Sequence, residues 1–134
     1  MLLGIMNKVV RIDTNYIIRY LINDDEEMAA QAETVLLERD VFIANEILAE
    51  VVYVLSGVYK ISKSDICEQL SKLLLVSNIF TSDKTILINA LAIFQSKNLD
   101  FVDCLLCAYS KKDDIMTFDK KLQRCVEREN LQNK

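Results

Sequence analysis

Short apolar runs alternate along this chain with longer stretches in which apolar residues recur every three or four positions. The short runs, which predict β-strands, cover residues 9–13, 41–44, 79–81 and 115–117. The longer stretches have the spacing of amphipathic helices. Strands that alternate with helices are typical of a parallel sheet with helices on both faces. The pattern therefore predicts an α/β fold with a central parallel sheet of four strands.

Seven helices are predicted, and most begin beside a side chain that can cap the first turn. The predicted starts are Thr14, Asp24 or Asp25, Asn45, Ser62 or Ser64, Ser82 or Asp83, Asp100 and Asp119. The last helix is followed by polar residues 127–134, which we expect to fray. We therefore predict one domain, residues 1–134, with its core at about residues 8–126 and a polar tail at 127–134.

Composition supports this fold class. A length of 134 residues suits one domain, and the chain has no proline and only two glycines, which disfavours an all-β fold built on tight turns. No apolar run is long enough to span a membrane. Residues 1–6 lack the basic lead and cleavage site of a signal peptide, and Met6 is an alternative start. We expect a cytoplasmic protein with no membrane partner.

The four cysteines do not predict a metal site. Cys104 and Cys107 have C-x-x-C spacing, but the chain has no second such pair and no histidine, so a structural zinc site is poorly supported. Both lie in an apolar stretch with helical spacing, where cysteine behaves as a small hydrophobe. We expect buried thiols and a reducing compartment.

Four carboxylates stand in apolar stretches, where an isolated charge is costly. They are Asp13, Glu50, Asp103 and Asp119. Taken singly, Asp13 and Asp119 could be helix caps, and Glu50 could reach solvent from a helix flank. Asp103 is the hardest to explain in this way. One divalent cation shared by all four is the most economical explanation.

The predicted fold allows the four acids to meet. Asp13 and Asp119 each follow a predicted strand, and sites in open α/β sheets form beyond the carboxyl ends of strands. Glu50 flanks the apolar stripe of its helix, and Asp103 lies near a helix start, where the macrodipole favours an acid. A site made of oxygens suits Mg²⁺ or Mn²⁺. Two such ions are the usual arrangement for phosphodiester hydrolysis.

The charge distribution leaves two interpretations open. The net charge is −4, which disfavours nucleic-acid binding, although bound cations would supply local positive charge. Basic residues cluster late in the chain at Lys111, Lys112, Lys120, Lys121, Arg124 and Arg128. This cluster is either a solvated face or a rim that contacts phosphates.

The order of the acidic motifs resembles the PIN domain family. The motifs are Asp13-Thr14-Asn15, Leu48-Ala49-Glu50-Val51, Phe101-Val102-Asp103 and Thr117-Phe118-Asp119, and the resemblance covers about residues 9–126. The chain is most similar to VapC-type toxins of prokaryotic toxin–antitoxin pairs, in its opening motif, in residues 19–25 and in its size. The resemblance implies a three-layer α/β/α sandwich with a central parallel sheet of four to five strands.

The resemblance also implies an activity and partners. It implies a Mg²⁺- or Mn²⁺-dependent endoribonuclease, a hydrolase that acts on RNA. It implies a homodimer held inactive by an antitoxin protein encoded nearby. By position, Asp13, Glu50, Asp103 and Asp119 would be the catalytic, metal-binding acids. Two further residues, Asn15 and Thr117, would make secondary polar contacts.

Three other functions stay open. One is a nuclease of RNA processing or DNA cleavage, and another is a binding module with a vestigial site. The third is a phosphotransferase that forms an aspartyl phosphate. That last function is disfavoured because Asn15 stands where such phosphatases carry a second aspartate.

Overall fold

The computed structural model describes residues 8–132. This part of the chain contains three short parallel strands and seven helices. In chain order they are β1 (Val10–Arg11), α1 (Thr14–Ile22), α2 (Glu26–Glu38), β2 (Val41–Phe42), α3 (Asn45–Gly57), α4 (Lys63–Leu74), β3 (Ile79–Phe80), α5 (Lys84–Ser96), α6 (Phe101–Tyr109) and α7 (Lys120–Gln132). Residues 1–6, which include the alternative start Met6, lie outside this range, as do the last two residues of the predicted tail. None of the helices described here has the length and apolar character needed to cross a bilayer.

The sheet has the order β1-β2-β3, and all neighbouring strands are parallel. Val41 of β2 is paired with Val10 on one side and with Ile79 on the other. Val41 and Ile79 are fully buried, so the sheet lies in the core. Because the strands are parallel, their carboxyl ends lie at one edge, and the chain leaves β1 there at Asp13.

The fourth predicted strand does not form. Residues 115–117 lie between α6 and α7 without strand pairing, so the described sheet has three strands in place of the four to five expected. Met116 is 90% exposed and Phe118 is fully exposed. The prediction failed because an apolar run at the surface gives the same sequence pattern as a buried strand, and burial is what stabilises a strand.

Helix starts follow the predicted capping chemistry at four positions. Asp25, Ser62, Asp83 and Asp119 each accept a hydrogen bond from the backbone N–H three residues later, at 3.1 Å. The cap of α1 is Asp13, one residue before the predicted Thr14, and it accepts from the Tyr16 N–H at 3.0 Å. The prediction that Asn45 caps α3 is wrong by one position. Ala44 precedes the helix and has no capping side chain, while the Asn45 amide donates to the Tyr109 hydroxyl at 2.9 Å.

The predicted polar tail is helical as far as Gln132. Leu122, Cys125 and Glu129 recur on one face of α7 and are buried there. Glu129 Oε1 accepts a hydrogen bond from the Asn89 amide of α5 at 3.1 Å. The end of α7 therefore packs against the body of the protein, which the polarity of this segment did not indicate.

Two of the four predicted thiols form a disulfide, so that prediction is wrong for Cys107 and Cys125. Packing of α6 against α7 brings their Cα atoms to 6.1 Å, within the range that a disulfide requires. Cys67 and Cys104 are free and buried as predicted. Burial raises the pKa of Cys67, and it raises that of Cys104 to about 12, so both thiols stay protonated and unreactive. The inference of a reducing compartment loses its support.

Candidate active site

Three carboxylates line one open pocket of about 390 Å³. Asp100 and Asp103 come from the start of α6, and Asp119 comes from the residue before α7. We call this the acidic pocket. Its wall also includes two basic side chains, Lys63 and Lys121. The pocket thus combines concentrated negative charge with cations at its border.

Asp103 is the half-buried acid of this group, and its charge is the least favourable. Burial raises its pKa, and the negative charges of Asp119 and Asp100 raise it further. Its position in the first turn of α6 offsets part of this cost, because the helix macrodipole favours an acid there. A carboxylate in these surroundings would be stabilised by a bound cation.

Asp119 is held in place by its neighbours in the chain. Its Oδ1 accepts a hydrogen bond from the Leu122 N–H at 3.1 Å, which caps the first turn of α7. Its own N–H donates to Thr117 Oγ1 at 3.1 Å, and the Thr117 carbonyl accepts from Gln123 Nε2 at 2.7 Å. Thr117 therefore fixes the turn that presents Asp119.

Asp13 and Glu50 lie outside the acidic pocket. Asp13 caps α1, where its Oδ1 accepts from the Tyr16 N–H at 3.0 Å. The next residue, Thr14, donates its hydroxyl hydrogen to Glu50 Oε1 and so joins α1 to α3. The structure thus brings Asp103 and Asp119 to one pocket. Asp13 and Glu50 are linked only through Thr14, the residue that follows Asp13 in the chain.

The premise that the four acids are buried holds in part for Asp103 alone, which is half-buried in a pocket with polar walls. Asp13, Glu50 and Asp119 are exposed. Each belongs to an apolar stretch of sequence but lies at a helix start or on an outer helix face, where its side chain reaches solvent. Asn15 is exposed as well, and the hydrogen bond to Glu50 comes from its neighbour Thr14.

The donor set fits a divalent cation, although the positions form no complete cage. Among residues 8–132 no group of three or more Asp, Glu, His or Cys side chains is placed to hold a metal ion. Mg²⁺, however, is usually bound through one or two carboxylates, with water filling its other positions. Asp103 and Asp119 supply two carboxylates in one pocket, and the unfavourable charge of Asp103 is what such an ion would relieve.

The late basic cluster divides into paired and available cations. Lys112 forms an ion pair with Asp83 at 3.1 Å, and Lys111 approaches Glu129 at 4.0 Å. Lys121 instead lines the acidic pocket. Lys63, which is not part of this cluster, also borders the acidic pocket. Its Nζ donates to the Lys97 carbonyl at 3.0 Å and lies 4.7 Å from the centre of the Phe94 ring. Lys111 and Lys112 thus have acidic partners, whereas Lys121 borders the acidic pocket.

Two functional candidates escaped the sequence analysis. The sequence predicts Asp100 only as a helix start, yet it makes no capping hydrogen bond and lines the acidic pocket. Its spacing from Asp103, three residues along a helix, was the signal that could have identified it. Thr14 carried no such signal, because its partner Glu50 is remote in sequence.

The PIN domain model matches residues 10–127, which is most of the chain. This chain belongs to the PIN domain family. PIN domains are generally nucleases that typically use divalent metal ions, and the parallel sheet with its helices is consistent with the PIN fold. A search of curated proteins and a search of solved structures each gave no significant match.

Proposed function

We propose that this PIN domain is a divalent-metal-dependent endoribonuclease that hydrolyses RNA phosphodiester bonds. The observation that carries the proposal is the acidic pocket, where Asp119 and Asp100 act on the half-buried charge of Asp103. Such a charge cluster costs free energy unless a cation binds. In a family whose members are generally nucleases, that cation is best assigned to catalysis.

The four acids have two kinds of role in this proposal. Asp103 and Asp119 would hold Mg²⁺ or Mn²⁺, which when bound activates water and stabilises negative charge on phosphate oxygens. Asp13 and Glu50 would complete the catalytic set from α1 and α3. Thr14 positions Glu50 through its hydrogen bond. Asn15 and Thr117 would contribute secondary polar contacts, the latter through the turn before Asp119.

The test removes charge and preserves structure. Asparagine caps a helix as well as aspartate does, so Asp13→Asn and Asp119→Asn keep their capping bonds and lose only the charge. The matched control is Asp25→Asn, because Asp25 caps α2 through the same kind of bond, to the Met28 N–H at 3.1 Å. Cleavage of single-stranded RNA with Mg²⁺ or Mn²⁺ should fall about a hundredfold in the site variants, since electrostatic groups contribute on this scale. The control should cleave normally.

Asp103→Asn completes this set, since it removes the least favourable charge of the acidic pocket. Metal-independent cleavage that survives both Asp13→Asn and Asp103→Asn would refute the proposal. The same assay with single-stranded DNA identifies the alternative, a PIN nuclease that cuts DNA. Cleavage of DNA in place of RNA would assign the protein to that class.

We also propose the cellular role that the VapC likeness implies, the toxin of a type II toxin–antitoxin pair. This role includes a homodimer and an antitoxin encoded nearby, and it assumes a three-layer α/β/α arrangement around the short sheet. Expression of the chain should arrest growth, and co-expression of the neighbouring gene should relieve the arrest. Asp103→Asn is the control that should be harmless. Arrest that persists with Asp103→Asn would exclude RNA cleavage as its cause.

A further inference from the structure

A second pocket, of about 160 Å³, lies between the residues that follow α5 and one side of α7. Four cationic side chains line it, namely Lys97, Lys121, Arg124 and Arg128. We call it the basic groove. Asn98, Leu99 and Lys121 line both the basic groove and the acidic pocket, so the two are adjacent.

The groove follows from the sequence of α7. Lys121, Arg124 and Arg128 are spaced i, i+3 and i+7, which places them on one face of the helix. The buried face, with Leu122 and Cys125, is offset from it by one residue. Packing of the buried face therefore fixes the direction of the cationic face. Lys97, at the end of α5, adds a cation from the opposite wall.

These cations are available for a ligand. The ion pairs among residues 8–132 join Arg19 to Asp24, Lys111 to Glu129 and Lys112 to Asp83. None of them uses a cation of the basic groove. Four like charges around a small pocket repel one another, and an anion would relieve that repulsion. Because the protein has a net charge of −4, attraction for a polyanion has to come from such a local patch.

We propose that the basic groove binds the phosphate backbone of the single-stranded nucleic acid that the acidic pocket cleaves, an inference that rests on the proposed nuclease function. Arginine presents a planar fork that matches phosphate oxygens. A backbone lying in the groove passes Lys121 and enters the acidic pocket beside Asp119. Charge contacts of this kind position a strand without reading its sequence. The groove therefore supplies affinity and register, and it selects no base.

The decisive variant is Arg124→Gln/Arg128→Gln, because these two residues line the basic groove and not the acidic pocket. The matched control is Lys8→Gln/Lys72→Gln, which removes the same charge at two exposed positions outside both pockets. Binding of a fluorescein-labelled single-stranded RNA is measured by anisotropy in EDTA, over a series of salt concentrations. Without divalent ions, binding is measured separately from cleavage.

Counterion release gives the expected size of the effect. Each phosphate contact adds about 0.7 to the slope of log K against log salt for single strands, so two lost contacts should reduce the slope by about 1.4. The same relation gives roughly a fivefold loss per contact at 0.1 M salt relative to 1 M, or roughly 25-fold for the pair. The control should bind like the wild type.

The inference would be overturned if wild type and Arg124→Gln/Arg128→Gln had the same RNA affinity and the same slope of log K against log salt. If both proteins still cleaved RNA in Mg²⁺ or Mn²⁺, the proposed nuclease function would stand. Wild-type protein that neither binds nor cuts RNA or DNA would overturn both. A polyglutamate peptide is the remaining probe. Groove-dependent binding of this peptide without binding of the oligonucleotide would assign the groove to an acidic protein segment and refute the nucleic-acid inference.

Discussion

Breaking the Cys107–Cys125 disulfide should weaken both the fold and the acidic pocket. The bond joins α6, which carries Asp103, to α7, which begins directly after Asp119. The two acids therefore belong to segments that one covalent bond holds together. Reduction removes that constraint without changing any side chain of the pocket.

The sequence separation sets the size of the effect. The bond closes a loop of 18 residues, and the chain-entropy relation for a loop of this length gives about 3 kcal/mol of stability. For a small protein, whose free energy of unfolding falls by about 1–3 kcal/mol per molar urea, this corresponds to a midpoint shift of roughly 1–3 M. Such a shift is a large part of the stability of a small domain.

The assay is urea unfolding of the wild type with and without a thiol reductant, followed by circular dichroism. The control is Cys107→Ala/Cys125→Ala, whose midpoint should not respond to the reductant. RNA cleavage by the reduced protein should also be lower, since the relative placement of Asp103 and Asp119 becomes less restricted. Equal midpoints for oxidised and reduced wild type would refute the reasoning, as would alkylation of all four cysteines in the native, unreduced protein.

Three further predictions concern single features. The pKa of Asp103 is raised in the fold, so its charge destabilises the metal-free protein at pH 7. Asp103→Asn should therefore raise the melting temperature in EDTA at pH 7. The gain should vanish as the pH falls through the pKa of Asp103. A lower melting temperature at pH 7 would contradict the repulsion of Asp103 by Asp119 and Asp100. Thr14→Val removes the hydrogen bond to Glu50 and should reduce cleavage, while Thr14→Ser should restore it; equal rates in all three proteins would exclude the positioning role. Deletion of residues 127–134 removes Glu129 and its bond to Asn89, and should lower the urea midpoint; an unchanged midpoint would show that the end of α7 adds no stability.

Local chemistry explains what the sequence could predict. Three strands were located because short buried apolar runs such as residues 41–44 are typical of strands. Helix starts were located where the predicted caps Asp25 and Asp83 accept hydrogen bonds through their own side chains. Both signals act within a few residues. The family assignment likewise depended on short motifs in order, and the match over residues 10–127 confirms it.

Tertiary packing explains what the sequence could not predict. The disulfide depends on how α6 packs against α7, and no local pattern encodes the distance between Cys107 and Cys125. The exposure of Asp13 and Asp119 depends on the direction in which the following helix starts. An apolar stretch of sequence shows which residues are adjacent in the chain, but it does not show which side chains reach solvent. Asp100 was missed because a residue at an N-cap position is expected to cap, and here it does not.

The exposed segment around Phe118 makes the protein susceptible to limited proteolysis. Phe118 is fully exposed and lies in an irregular stretch between two helices, which is the kind of site that proteases cut first. A chymotryptic cut there would separate α7 from the preceding helices. The Cys107–Cys125 bond spans the cut, so the nicked protein would migrate as one species on a gel without reductant and as two fragments with it. One nick would thus convert a single chain into a disulfide-linked heterodimer whose two parts each carry one acid of the Asp103–Asp119 pair.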